Sequence, residues 1–174
     1  VATLIKGKEP IIVVLSALSG TTNVLVSVAE ELFGRYQNNA IEKIGQLEIH
    51  YQGFIKALYG TENGLKQGKA IIQKHFTLMR EIAEKPNFTG REERVLLAEG
   101  ELLSTQLFQA YLEEIAYPCV LLNAFDFMKI DSDGEPILEH IEEKLQKQLA
   151  IHEGCQTFIT QGYICLNPRG EIDN

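Results

Sequence analysis

Five apolar residues in a row, Ile11 to Leu15, run into the small polar stretch Ser-Ala-Leu-Ser-Gly-Thr-Thr-Asn, residues 16–23, and then the hydrophobic period changes. A short continuous run rich in Ile and Val predicts a strand buried on both faces, as in a parallel sheet. Beyond it Val24, Val28 and Leu32 fall at i, i+4 and i+8, which predicts a helix with one apolar face. Thr21, Thr22 or Asn23 suits its N-cap and Gly34 its end.

Two long helical patterns follow. Ile44, Leu47, Tyr51, Phe54 and Leu58 step by three or four, as do Ile72, Phe76, Met79 and Ala83, with Leu65 one heptad before Ile72. Tyr-Gly-Thr-Glu-Asn-Gly between them is turn chemistry, Pro86 closes the second pattern, and Phe88-Thr89-Gly90 restarts the chain. The next helix is expected from about Arg91 to Ile115, with Leu96, Leu103, Leu107 and Tyr111 on its buried side. Gly100 lies in its interior, where glycine costs about 1 kcal/mol relative to alanine, so close packing is expected there. Cys119-Val-Leu-Leu reads as a strand, 131–136 as a loop, Leu138, Ile141, Leu145 and Leu149 as a helix, and Thr157-Phe-Ile-Thr as a last strand that breaks at Gly162. The order strand, helices, strand, helix, strand predicts a mostly parallel sheet covered by helices. Residues 24 to 116 are almost all helix, so half of this stretch, about 36–90, is expected to be an inserted helical subdomain.

Composition narrows the class without naming a function. The chain has 174 residues, 45% of them hydrophobic and 23% charged, the make-up of one ordinary globular domain. A net charge of −8 argues against nucleic acid as a partner. No apolar run is long enough to span a bilayer, and 1–10 carries Lys6, Lys8 and Glu9 without the apolar core of a signal peptide. Cys119, Cys155 and Cys165 are odd in number and lack CxxC spacing, so free thiols in a reducing cytoplasm are expected. The chain starts at Val1 and stops just after an apolar strand, and a piece of something larger is expected.

Several motifs carry no chemistry. A P-loop and a Gly-x-Gly-x-x-Gly fingerprint are both absent. His50, His75, His140 and His152 lack metal-ligand spacing and read as surface or capping residues. Asp131, Asp133 and Gly134 mimic part of a calcium loop with the wrong spacing, so a solvated loop is expected. Two features remain. The turn after the first strand presents hydroxyls and a helix N-terminus, which suits a carboxylate or phosphate, although an ordinary strand-to-helix turn has the same pattern. Glu101 lies among leucines in Leu96-Leu-Ala-Glu-Gly-Glu-Leu-Leu-Ser. Either it points to solvent or it is buried and wants a cationic partner, a lysine, an arginine or a bound ammonium.

Three stretches together resemble one family. Val13-Val-Leu-Ser-Ala-Leu-Ser-Gly-Thr-Thr-Asn-Val-Leu, Glu99-Gly-Glu-Leu-Leu-Ser-Thr and Phe158-Ile-Thr-Gln-Gly-Tyr-Ile occur in the order, and with the kind of gaps, found in the aspartokinases. The resemblance runs through most of the chain. It implies the amino acid kinase fold, a three-layer α/β/α sandwich, here incomplete and carrying the helical insertion. It implies transfer of the γ-phosphoryl of MgATP to the β-carboxylate of L-aspartate. ATP and Mg2+ would serve the complete enzyme, and the whole protein would be a cytoplasmic homo-oligomer with no membrane partner. Ser16 and Thr22 match residues that hold the side-chain end of aspartate. Glu101 matches the glutamate that engages the substrate at its ammonium. Tyr163 matches an aromatic, usually Phe, at the pocket.

The chain also departs from the family. The KFGGTS strand, expected before a helix that ends near Lys6, and the RGGSD loop, expected after Asn174, are missing. So are the nucleotide-binding half and the regulatory domains, and the Gly that usually follows Ile164 is a Cys. The 174 residues are therefore expected to form the substrate-side, amino-terminal part of the kinase domain and to be inactive alone, with no catalytic residue identifiable among them. Other readings are another amino acid kinase, such as glutamate 5-kinase or uridylate kinase, and a noncatalytic helical interaction or regulatory domain with a relic of the fold.

Overall fold

The computed structural model describes residues 9–174. The helix end near Lys6 lies outside them. Strand β1 (Ile11–Leu15) leads into α1 (Thr21–Phe33), α2 (Gln37–Leu58), α3 (Glu62–Ala83) and α4 (Gly90–Glu114). Then come β2 (Val120–Leu121), a short 3-10 turn at Ala124–Asp126, α5 (Leu138–Ile151), β3 (Thr157–Gln161), β4 (Cys165–Leu166) and β5 (Ile172–Asp173).

The main sheet has the order β1-β3-β2 and is parallel throughout. Ile11 stands opposite Thr157 and Leu15 opposite Gln161, so both strands end together, at the edge where ligands collect in open α/β sheets. Alternation sorts the strand residues onto two faces. Ile11, Val13, Leu15, Leu121 and Ile159 pack with Phe108, Tyr111 and Leu112 of α4. Val120 and Phe158 turn to the other face and pack with Ile141, Leu145 and Leu149 of α5. Helix, sheet and helix make three layers, as the sequence predicts.

Three expectations need correction. β1 is not buried on both faces: Ile12 is 41% and Val14 62% exposed, because among the described residues β1 lies at the edge of the sheet and α5 packs over its neighbours. Leu138 does not join the half-buried apolar stripe of α5, since it is the first helical residue and 73% exposed. An antiparallel ribbon, β4 with β5, follows the last parallel strand. Its turn signal was present in Asn167-Pro-Arg-Gly, where Gly170 takes φ 76° and Asn167 Oδ1 accepts from the Arg169 and Glu171 amides.

The helices follow the apolar spacing closely. Leu25, Val28, Ile44, Tyr51, Ile72, Phe76, Met79, Leu96, Leu103 and Leu107 form one buried cluster that joins α1–α4. Burying a side chain of this size contributes roughly 1.5–3 kcal/mol. Two starts are sharply specified. Thr61 caps α3 by accepting from the Gly64 amide, so the turn between α2 and α3 is shorter than predicted. Thr89 and Glu92 form a capping box at α4. Glu114, at the far end of α4, accepts from the Gly60 and Thr61 amides and from the Thr61 hydroxyl, and these bonds hold its carboxyl below the usual range. The α2–α3 loop is thereby tied to the end of α4.

Candidate functional site

The polar turn after β1 sits against the middle of α4. Gly20, not a threonine, is the N-cap of α1, in the left-handed region at φ 84° where glycine is at home. Thr21 is therefore the first helical residue, and its hydroxyl turns inward to the hydroxyl of Tyr51 on α2, 2.8 Å away. This corrects the expected threonine or asparagine cap. Gly100 explains how the turn seats. A Cβ there would lie 3.0 Å from Ala17 Cβ and 3.3 Å from Thr21 Cγ2, so the bare glycine backbone lets the turn close onto α4.

That contact delivers Glu101. Its side chain is buried, the residue being 2% exposed. Oε1 accepts from the Ala17 amide at 3.3 Å, and Oε2 is buried with no hydrogen-bond partner. Burial pushes its carboxyl above the ordinary value, while the Ala17 amide pulls the other way. The solvent-facing alternative is thus excluded, and among the described residues no lysine or arginine satisfies the acid.

The backbone around Glu101 is held from three directions. Ser104 Oγ donates to the Ser16 carbonyl at 2.8 Å, joining α4 to the end of β1. Thr105 Oγ1 donates to the Glu101 carbonyl at 2.8 Å and accepts from Gln161 Nε2 at 2.9 Å. Gln161 Oε1 in turn accepts from the Ala124 amide at 2.8 Å. Gln161 ends β3 and is 4% exposed, so its amide pins the strand, α4 and the 3-10 turn together.

The predicted site residues fall along this one edge. Ser16 is exposed at the end of β1, and Thr22 is half-buried in the first turn of α1. Tyr163 is 57% exposed and takes φ 68°, an uncommon conformation for a non-glycine residue. It follows Gly162, whose amide donates to the Leu15 carbonyl at 2.8 Å. Ser16 and Glu101 are linked through Ala17 and Ser104, and Tyr163 adjoins the end of β1 through Gly162. Tyr51, Ser104, Thr105 and Gln161 escaped the sequence reading as site residues. Ser104, Thr105 and Gln161 lie in the recognised motifs; Tyr51 looked like one more apolar-face residue.

One histidine was misread. His75 is not at the surface but 3% exposed, and its Nδ1 lies 2.5 Å from Glu99 Oε2. Asp131 accepts from the amides of Asp133 and Glu135 and so closes its own loop. The three cysteines are free, and burial pushes the Cys119 thiol up to about 11. Among the described residues no helix is long and apolar enough to cross a membrane.

Comparison with known proteins agrees with this geometry. The family model of the amino acid kinase family matches residues 1–174. Aspartokinase 2, chloroplastic, of Arabidopsis thaliana is 32% identical over 127 residues, 70% of this chain and 22% of that protein. Aspartokinase 3, chloroplastic, of the same plant is 30% identical over 151 residues, 81% of this chain and 26% of that protein. The chain thus spans about a quarter of the length of these relatives. In structure, E. coli aspartokinase III in complex with aspartate and ADP superposes with a TM-score of 0.70 at 24% identity, over 94% of this chain and 36% of that one. The same enzyme in complex with lysine and aspartate gives 0.70 at 23% identity, with the same coverage. At these identities the structural likeness speaks for the fold. The family match over the full length settles membership: the chain belongs to the amino acid kinase family, and the relatives it resembles there are aspartokinases.

Proposed function

We propose that this chain forms the aspartate-holding part of an aspartate kinase, which transfers the γ-phosphoryl of ATP to the β-carboxylate of L-aspartate and yields 4-phospho-L-aspartate. The observation that carries the proposal is the Glu101 carboxylate, buried beside a hydroxyl-rich turn with one oxygen unpartnered. A buried charge without a partner is costly, and a substrate ammonium would satisfy it. The other end of the amino acid would then meet Ser16 and Thr22 at the start of α1, where hydroxyls and the helix dipole favour a carboxylate. Neutral hydroxyls hold a nucleophilic carboxylate without quenching it as an arginine would. Tyr163 would close the pocket wall.

Phosphoryl transfer asks the protein chiefly for in-line positioning and charge stabilisation. The part played by these residues is positioning. The aspartokinase relatives and a structural neighbour that holds aspartate and ADP support this reading. Among the described residues no three His, Cys, Asp or Glu side chains converge on one point; Mg2+ would arrive with ATP, held chiefly by its phosphates and by water. The chain is further proposed to be the substrate-side part of a larger kinase domain, with about 36–90 as a helical insertion and with catalytic groups outside these 174 residues.

The test uses the natural polypeptide that carries this sequence. It is given MgATP, hydroxylamine and either aspartate or glutamate, and acyl phosphate is trapped as the hydroxamate. Aspartate-dependent hydroxamate is expected, with kcat/KM falling about 100-fold or more in Glu101→Gln, the scale of losing a charged hydrogen bond in a buried site. No hydroxamate with either amino acid would overturn the proposal and favour a noncatalytic role. The apolar faces of α2 and α3 lend that alternative little, since each helix exposes a single large apolar side chain, Ile49 on α2 and Leu78 on α3.

A further inference from the structure

Among the α2 side chains near the turn after β1, Tyr51 is the one whose hydroxyl is hydrogen-bonded to a residue of that turn, Thr21. We propose that Tyr51 is a positioning residue that holds the Ser16–Thr22 turn in its ligand-ready shape, so that the hairpin tunes aspartate affinity; the inference rests on the proposed function above.

Tyr51 is fully buried on the inner face of α2. Its ring meets Phe76 edge-on at 5.8 Å and Phe54 at 6.5 Å, which fixes the side chain within the hairpin core. Its hydroxyl leaves that core for Thr21 Oγ1, at 2.8 Å. Burial pushes the phenol up to about 12, so it stays neutral.

The relay onward is short. Thr21 and Ala17 rest on Gly100, and the Ala17 amide donates to Glu101. A displaced Thr21 therefore shifts the residue that orients the substrate-binding acid. Nothing in helix formation requires this bond. A threonine in the first turn ordinarily serves as a cap, and here the cap is Gly20 and the hydroxyl is given to a helix 30 residues away in sequence.

The decisive experiment compares Tyr51→Phe and Thr21→Val with Ile72→Val, a core change in α3 remote from the turn, all in the natural polypeptide. Either hydrogen-bond variant is expected to raise the aspartate KM about fivefold to tenfold, the range of one buried hydrogen bond, with kcat and the ATP KM within about twofold. The double variant should add little, because both substitutions remove the same bond. Amide exchange at 16–22 should quicken while residues 44–55 stay protected. Ile72→Val should lower stability without moving KM. An unchanged exchange rate at 16–22 in Tyr51→Phe, or an equal KM rise in Ile72→Val, would overturn the inference. Wild-type protein that never turns over aspartate would sink the kinase assignment instead, and the exchange measurement would still decide whether Tyr51 holds the turn.

Discussion

Two carboxylates two residues apart on α4 lead opposite lives. Residues at i and i+2 on a helix point to nearly opposite sides, so Glu99 and Glu101 enter different regions. Glu99 faces α3 and meets His75 at 2.5 Å, both groups about 4% exposed at their side chains. Glu101 faces the turn after β1, receives one backbone amide and keeps an oxygen unpartnered. Both are buried to the same degree, so burial alone does not separate a structural acid from a functional one. The partner does: Glu99 is satisfied by His75, whereas Glu101 keeps an open oxygen, the feature on which its proposed substrate role rests.

The largest expected effect breaks the first region. His75→Leu leaves Glu99 buried without its partner and should cost about 3–5 kcal/mol, read from urea unfolding. A loss under about 1 kcal/mol would mean that the pair is not a structural contact and would erase the contrast.

Glu101→Gln should do the reverse, losing aspartate-dependent turnover while leaving the protein at least as stable at pH 7. The sign follows from linkage. Burial raises the folded carboxyl above its ordinary value of 4.5, so the native state binds the proton more tightly than the unfolded state. Wild-type stability therefore falls as pH rises from the ordinary carboxylate range through the raised value. The advantage of the variant is greatest above that value and closes as pH drops towards 4.5. Parallel thermal melts from pH 4 to 8 check this, and a variant less stable at pH 7 would contradict it.

Gly100→Ala sharpens the comparison at the seat of the turn. The added methyl would meet Ala17 Cβ at 3.0 Å and Thr21 Cγ2 at 3.3 Å. Overpacking costs about 1–3 kcal/mol against about 1 kcal/mol gained in helix propensity. A net loss of up to about 2 kcal/mol is expected, together with a higher aspartate KM. The smallest effect lies far from both regions. Lys147 pairs with Glu143 one turn away on exposed α5, and Lys147→Ala should change stability by no more than about 0.5 kcal/mol. A larger loss would show that the exposed face of α5 is coupled to the core.

How much of this was legible before folding can be judged residue by residue. The helices were, because a repeat of three or four apolar positions records which face meets a core wherever that core lies. Gly100 announced a close approach, because glycine within a helix needs a reason. The three motifs fall where β1, α4 and β3 meet, which brings Ser16, Thr22, Glu101 and Tyr163 to one edge of the sheet. The exposure of Ile12 and Val14 was not legible, because a parallel strand reads alike at the edge and in the middle of a sheet.

The sequence by itself determined the order of the helices and the parallel strands, most of their apolar faces and the family, but not the β4–β5 ribbon. Each rests on local spacing or on short motifs. Which of two neighbouring glutamates found a partner, which hydroxyl Tyr51 would hold, and that Gln161 would bind Ala124 and Thr105 were decided only in three dimensions. These contacts join residues 24 to 56 positions apart. Hydrogen bonds of this kind depend on ångström-scale distance and direction, and a one-dimensional pattern carries neither.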